Sequence, residues 1–298
     1  MSTDADAAGL AELHAAAEQL WLAAQSRWPT LSIEVLPEVD STNSHAMAMG
    51  RQGLSDPAVV VAWRQTAGRG RAGRVWQAEP GQTLTLSVAL PLDLTHVPGG
   101  GSALSLAVGT VVAEVMEALG APAQLKWPND LWIQDRKLGG ILIEASHSTA
   151  LPPDQRWVVI GLGLNLWGTP AEWRSERCDL HEWGVHGDAP GSPPQPGQLM
   201  RALVPALLEG AQLFERSGFA AFMARYARRD ALLGRAVNLW RHQAPPATLQ
   251  AALHPSPEAS GTAAGVDAQG ALLIHDAHGR PQPWRLGEVS VRPIPDHL

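Results

Sequence analysis

Three glycines and three arginines interleave in Gly68–Trp76, which reads GRGRAGRVW. Glycine at that density works against both helix and strand, and it leaves the backbone free to approach a ligand. The run follows Val59-Val60-Val61-Ala62-Trp63, whose β-branched residues predict a buried strand. Gly68, Gly70 and Gly73 supply the freedom. Arg69, Arg71 and Arg74 supply fixed positive charge and planar donor forks. A strand feeding such a loop suits a flap that closes over a phosphate, with amides and guanidiniums sharing its charge. It also suits a solvated basic loop or a nucleic-acid tail. The chain as a whole carries a net charge of −7, so the basic cluster from Arg64 to Arg74 is a local exception. That favours a specific anion over a general nucleic-acid or acidic-membrane partner.

The 298 residues, 45 % hydrophobic, are enough for one large domain and a small one. The single cysteine, Cys178, excludes an intrachain disulfide and a cysteine-based zinc site. The acidic start, MSTDADAAG, lacks the positive flank and apolar core of a signal peptide. No stretch reads as long and apolar enough to span a bilayer, so a cytoplasmic, soluble protein is expected.

Apolar residues at helical spacing predict a helix over Ala7–Ser26, ending before Pro29, and Leu31–Leu36 reads as a strand. Asp40-Ser41-Thr42-Asn43 precedes a helix-like stretch, Ser44–Arg51. These small polar residues suit an N-cap, and they also suit binding of a small polar ring. Thr83–Leu90 predicts a strand terminated by Pro91, and Ala103–Leu119 a buried helix. Strand pieces at Leu125–Trp127 and Leu131–Ile133 flank a turn at Pro128-Asn129-Asp130. A second turn, Gln134–Arg136, leads through Lys137, Gly139 and Gly140 into a strand, Ile141–Glu144. Lys126 and Lys137 are thereby held near the core and are expected to face one site.

Trp157–Leu162 is a further strand. Gly161 and Gly163 before Asn165 mark either close backbone approach beneath a ligand or a glycine bulge. Thr169–Pro196 reads mostly as a surface excursion, with Trp173–Trp183 a candidate lid. Gln198–Arg216 and Phe219–Arg229 read as helices, the first disturbed by Pro205. From Leu232 the runs Ala236–Trp240, Gly261–Val266, Ala271–Ile274 and Glu288–Val291 predict a small antiparallel barrel of SH3-like kind. The expected division is an N-terminal helix (1–30), a catalytic unit (31–231) and a C-terminal domain (232–298). The expected class is α+β: a mixed, largely antiparallel sheet flanked by helices, plus the barrel.

Taken together, DSTN at Asp40–Asn43, Gln65 with GRGRAGRVW, KWPND at Lys126–Asp130, RKLGG at Arg136–Gly140, GLGLN at Gly161–Asn165 and GEVSVRP at Gly287–Pro293 resemble the biotin–protein ligases. The resemblance covers roughly Leu31–Pro293. It implies activation of biotin with ATP to biotinyl-adenylate and pyrophosphate, then transfer to one lysine of a biotin carboxyl carrier protein. By resemblance, Ser41, Thr42, Asn43 and Gln65 meet the ureido ring, and Arg69, Gly70, Arg71 and Lys137 also line the biotin site. Arg69, Arg71, Lys137 and Lys126 offset the charge of two approaching anions. Gly68, Gly73, Arg74, Trp76, Trp127, Asn129, Asp130, Gly139, Gly140, Gly161 and Asn165 shape the adenylate pocket. Mg²⁺ arrives with the ATP rather than on a protein metal site. The resemblance also allows a homodimer. With the first motif at Asp40, no operator-reading winged helix is expected. Related lipoate and octanoate enzymes usually carry an RRxSGGGAV-like motif, which is absent. A biotin-sensing regulator without catalysis is the third reading.

Overall fold

The structure, a computed structural model, describes residues 3–241, 257–276, 278–285 and 289–294. Seven strands form the main sheet: β1 (Ser32–Val39), β2 (Ala58–Gln65), β3 (Thr83–Asp93), β4 (Gln124–Lys126), β5 (Asp130–Ile133), β6 (Arg136–Ser146) and β7 (Gln155–Asn165). Their order is β1-β2-β3-β7-β6-β5-β4. Only β1 and β2 run parallel; every other pairing is antiparallel.

Period-2 alternation decides what covers each face. Val59 and Val61 of β2, Leu84 to Leu92 at even positions of β3, and Ile160, Leu162 and Leu164 of β7 join one core. That core is closed by α1 (Thr3–Ala24), α3 (Leu104–Ala118) and α4 (Pro196–Ser217). The opposite residues Ala58, Val60, Ala89, Trp157 and Val159 pack with Ala46 of α2 (Thr42–Arg51) in a smaller cluster. This second face runs out of apolar residues toward Thr85, Ser87, Gly161 and Gly163, and a cavity begins there.

Several boundaries move. Strand β3 continues through Pro91, which pairs with Trp157, so the proline does not end it. Strand β6 starts at Arg136, and thus Lys137, Gly139 and Gly140 are strand residues. Gly161 and Gly163 sit in unbroken register opposite Ser87 and Thr85, so there is no bulge. Pro205 lies inside a continuous α4. The second expected helix shrinks to a 3₁₀ turn and α5 (Met223–Ala227). The 169–196 segment is no simple surface excursion, because it buries Cys178, Leu180 and Val185. One segment, Gly100–Ala118, does reach the length and mean hydropathy (1.3) of a membrane span, contrary to expectation, but its window is 61 % buried inside the fold.

A second sheet, β11-β10-β9-β8-β12, is antiparallel throughout. Its strands are β8 (Ala236–Arg241), β9 (Ala259–Val266), β10 (Leu272–His275), β11 (Pro281–Trp284) and β12 (Val289–Pro293). The sequence reading missed β11, whose prolines at 281 and 283 mask a strand at the sheet edge. Gly287 and Glu288 of the last motif lie outside the described residues. The sheet docks on the larger one through its 267–270 turn. Trp127 Nε1 donates to the Gly270 carbonyl at 3.0 Å, and Ser102 Oγ to that of Gln269 at 3.0 Å.

Candidate active site

A cavity of about 490 Å³ opens on the α2 face of the main sheet, between the ends of β3, β6 and β7 and the 68–76 segment. That segment is a short hairpin rather than an open loop. Arg69 bridges Val75 in antiparallel fashion, Gly70 N donates to Arg74 O at 2.7 Å, and Trp76 N donates to Gly68 O at 2.9 Å. Its tip, Arg71–Gly73, is a 3₁₀ turn in which Ala72 holds a positive φ of 53°. A Cβ on Gly68 would stand 2.5 Å from Trp76 O, so the hairpin closes only with glycine there.

One end of the cavity is neutral and hydrogen-bonded. Ser41, Thr42 and Asn43 are buried at the start of α2. Gln65 Oε1 accepts from Thr42 N at 2.8 Å, which turns the Gln65 amide so that its NH₂ group remains a donor. Ser87 Oγ lies 2.8 Å from Thr42 Oγ1 and 2.7 Å from Asn43 Oδ1. Asn43 Nδ2 donates to Leu142 O at 3.3 Å and to Glu144 Oε2 at 2.9 Å. Both Asn43 amide protons are therefore engaged, and what it can still offer a ligand is one oxygen lone pair. Gly161 leaves room for this side chain, since a Cβ there would meet Asn43 Oδ1 at 2.1 Å.

The other end gathers cations. Lys137 Nζ lies 2.6 Å from Asp130 Oδ1, and Lys126 Nζ 3.8 Å from Asp130 Oδ2. Burial pushes the Lys126 ammonium below the usual lysine value against the pull of Asp130, and Lys137 adds to the depression. Burial likewise lowers Arg71, whose Nη1 donates to Asn129 Oδ1 at 3.2 Å. Asp130 is the only carboxylate among the described lining residues. Cations thus outnumber anions here inside an acidic chain. The Trp76 indole lies under Lys137, 5.8 Å from Nζ to the ring centroid, and its buried N–H has no hydrogen-bond partner among the described groups.

Of the residues singled out in the sequence, Ser41, Thr42, Asn43, Gln65, Arg69, Gly70, Arg71, Arg74, Trp76, Lys126, Trp127, Asn129, Asp130, Lys137, Gly140, Gly161 and Asn165 line this cavity. Gly68, Gly73 and Gly139 do not: the first two shape the hairpin, and Gly139 allows close approach of β7, where a Cβ would meet Gly163 O at 2.5 Å. Trp127 belongs mainly to the core, with its N–H held by Gly270. Asn165 Nδ2 donates to Cys178 O at 3.0 Å, tying the 169–196 segment to β7.

Gly163, marked with Gly161 in the sequence, also lines the cavity, whereas sequence reasoning passed over Thr85 and Arg177, which line it too. For Thr85 the available signal was its alternation with Ser87 along the strand, opposite Gly163 and Gly161. Arg177 had none. It reaches the site because Lys137 N donates to Glu176 O at 2.8 Å and Cys178 N to Lys137 O at 3.0 Å, a parallel bridge that sets Arg177 beside Lys137.

Residues 35–165 match the model of the biotin/lipoate A/B protein ligase family. The bifunctional ligase/repressor BirA of Escherichia coli is 35 % identical over 262 residues, covering 88 % of this chain and 74 % of that protein. The biotin–[acetyl-CoA-carboxylase] ligase of Mycobacterium tuberculosis is 32 % identical, over 90 % of this chain and 91 % of that one. The structure of the Aquifex aeolicus biotin protein ligase in complex with biotin and ATP superposes with a TM-score of 0.67 at 25 % identity, covering 88 % of this chain and 99 % of that chain. A mixed sheet flanked by helices, with a second, antiparallel sheet toward the C-terminus, is the class of fold that this structural likeness covers. The chain belongs to the biotin–protein ligase family and is a ligase that forms a carbon–nitrogen bond.

Proposed function

We propose that this chain makes biotinyl-5′-adenylate from biotin and ATP and then transfers biotin to a lysine of a carboxylase's carrier protein. The observation that carries this reading is the convergence of Arg71, Lys126 and Lys137 on one cavity whose far end is a neutral donor–acceptor pocket. A urea needs both donors and acceptors without charge. Gln65 NH₂ and the spare Asn43 lone pair supply them. A carboxylate attacking a phosphate needs neighbouring positive charge, because two anions must meet.

In the first step a biotin carboxylate oxygen bonds the α-phosphorus of ATP and pyrophosphate leaves. Arg71 and Lys137 hold the reacting oxygens, and Lys126 adds charge from beneath. Arg177 stands beside Lys137, where the departing phosphates exit. The Trp76 N–H donates to the mixed anhydride or its phosphate. The 68–76 hairpin shields that anhydride from water. In the second step the carrier amine bonds the acyl carbon, AMP leaves and the amine loses a proton. Mg²⁺ would come with the nucleotide and offset part of its phosphate charge. Among the described residues no three metal-ligating side chains cluster, and Asp130 is committed to the two lysines.

We place the catalytic unit at 31–231 and the C-terminal domain at 232–298, the latter contributing Val291 to the cavity wall. The same reading puts the protein in the cytoplasm. The main test is pyrophosphate release with biotin and then with lipoate. Release with biotin alone supports the reading, whereas release with lipoate alone transfers the chain to the related lipoate class.

A further inference from the structure

Glu144, on β6, has no part in the roles above, yet its carboxylate joins the two ends of the biotin side of the site. Oε2 accepts from Asn43 Nδ2 at 2.9 Å, and Arg69 Nη2 donates to Oε2 at 3.0 Å and to Oε1 at 3.2 Å. Asn43 is fixed from behind by Ser87 at 2.7 Å. One chain of contacts therefore runs from β3 through the start of α2 to β6 and out to the base of the hairpin. The side chains of Arg69 and Glu144 are 44 % and 26 % exposed, so water screens the pair from the arginine side and its hold is modest.

Toward its tip and its end the hairpin is held by Arg71 on Asn129 and by Trp76 beneath Lys137, so Glu144 ties down its base. Val75 is 78 % exposed, and the Arg69–Val75 bridge is internal to it. We propose that Glu144 is a positioning residue: it pins Arg69, and with it the hairpin base, to the residue that meets the ligand's neutral head. This rests on the biotin-ligase reading for its consequence, which is retention of the activated intermediate until an amine arrives. The chemistry of the two half-reactions is untouched by Glu144; what it governs is how often the hairpin lifts while the mixed anhydride is bound.

Glu144→Gln separates the two contacts. A glutamine oxygen still accepts from Asn43, but the charge that holds Arg69 is gone. The ratio of biotinyl-adenylate lost to solvent over biotin transferred to carrier rises about two- to fivefold, the range expected for a half-exposed ion pair. The KM for biotin stays within about threefold. Arg69→Gln raises the same ratio, and the double variant raises it no further, since both remove one interaction. A merely structural role would scale both half-reactions with the folded fraction and leave their ratio alone. Amide hydrogen exchange of residues 68–76 in the ligand-free protein supplies a readout independent of activity, and it quickens in Glu144→Gln. Wild-type protein that forms no adenylate would defeat the functional reading, and exchange would still decide the latch. Unchanged exchange in Glu144→Gln, an unchanged ratio, or multiplicative effects in the double variant overturns the proposal.

Discussion

Lys137 Nζ sits 2.6 Å from Asp130 Oδ1, and this contact pre-positions the ammonium at the cation end of the cavity. The two residues lie on adjacent strands, with Asp130 at the head of β5 opposite Gly140 and Lys137 opposite Trp132. The sheet itself brings them together. Such preorganisation places positive charge where negative charge develops, without reorganisation at the moment of reaction.

Lys137→Ala is therefore expected to lower biotin-dependent pyrophosphate release by about 10²- to 10³-fold, the usual loss when a preorganised group facing developing charge is removed. Biotin binding in the absence of ATP falls much less. Calorimetric titration beside a pyrophosphate assay measures both, and equal losses in the two would show that Lys137 serves ground-state binding alone.

Gly161→Ala tests the packing beneath the pocket. Its methyl group would fall 2.1 Å from Asn43 Oδ1 and push that side chain off Ser87 and Glu144. Overpacking of this kind costs about 1–3 kcal/mol. The KM for biotin is expected to rise at least about tenfold, while the KM for ATP changes little. Gly53→Ala is a control, since nothing lies within 4 Å of its Cβ position, although its φ of 98° brings strain of its own.

Much of the site was legible in the sequence because its chemistry sits in contiguous motifs. DSTN, GRGRAGRVW, KWPND and RKLGG each place adjacent residues on one turn or strand end, and local pattern suffices to read those. Arg177 and Glu144 were not legible, because each matters only through a partner far along the chain: Lys137 for the first, Asn43 and Arg69 for the second. The fold was read well where strands alternate or run apolar. It was misread at Pro91 and β11, where proline signalled an end that edge position or pairing geometry overrode. The 169–196 segment looked polar and proline-rich, yet Cys178, Leu180 and Val185 bury it.

Arg177 gives a prediction of its own. Its guanidinium stacks 4.1 Å over the Trp173 ring, and its Nη1 donates to Gln77 Oε1 at 3.4 Å. Arg177→Ala is expected to raise the KM for ATP about three- to tenfold with little change for biotin, as loss of one charge-assisted phosphate contact implies. Steady-state kinetics varying each substrate in turn decides this, and a selective rise in the biotin KM would place the arginine elsewhere.

Asp230 predicts a pH dependence of stability. Burial raises its carboxyl to about 6, against two backbone hydrogen bonds that lower it. The folded chain then binds more protons than the unfolded chain between the ordinary aspartate value of 3.8 and about 6. The stability contribution is present below that window and is lost as pH rises through it. Asp230→Asn retains the oxygen that accepts from Leu232 N at 2.9 Å and cannot ionise. It should stabilise the protein by about 1–3 kcal/mol at pH 8 and by almost nothing at pH 4. Urea unfolding at the two pH values checks the sign, and equal effects at both would locate the strain outside the carboxylate.

The most direct measurement is mass-spectrometric detection of the acyl-adenylate formed when the purified protein meets ATP with biotin, lipoate or octanoate. The convergence of Arg71, Lys126 and Lys137 on a pocket built for a neutral urea predicts biotinyl-5′-adenylate alone, formed about 10²- to 10³-fold more slowly in Lys137→Ala. An adenylate of lipoate or octanoate in its place, or none with any acid, would contradict it.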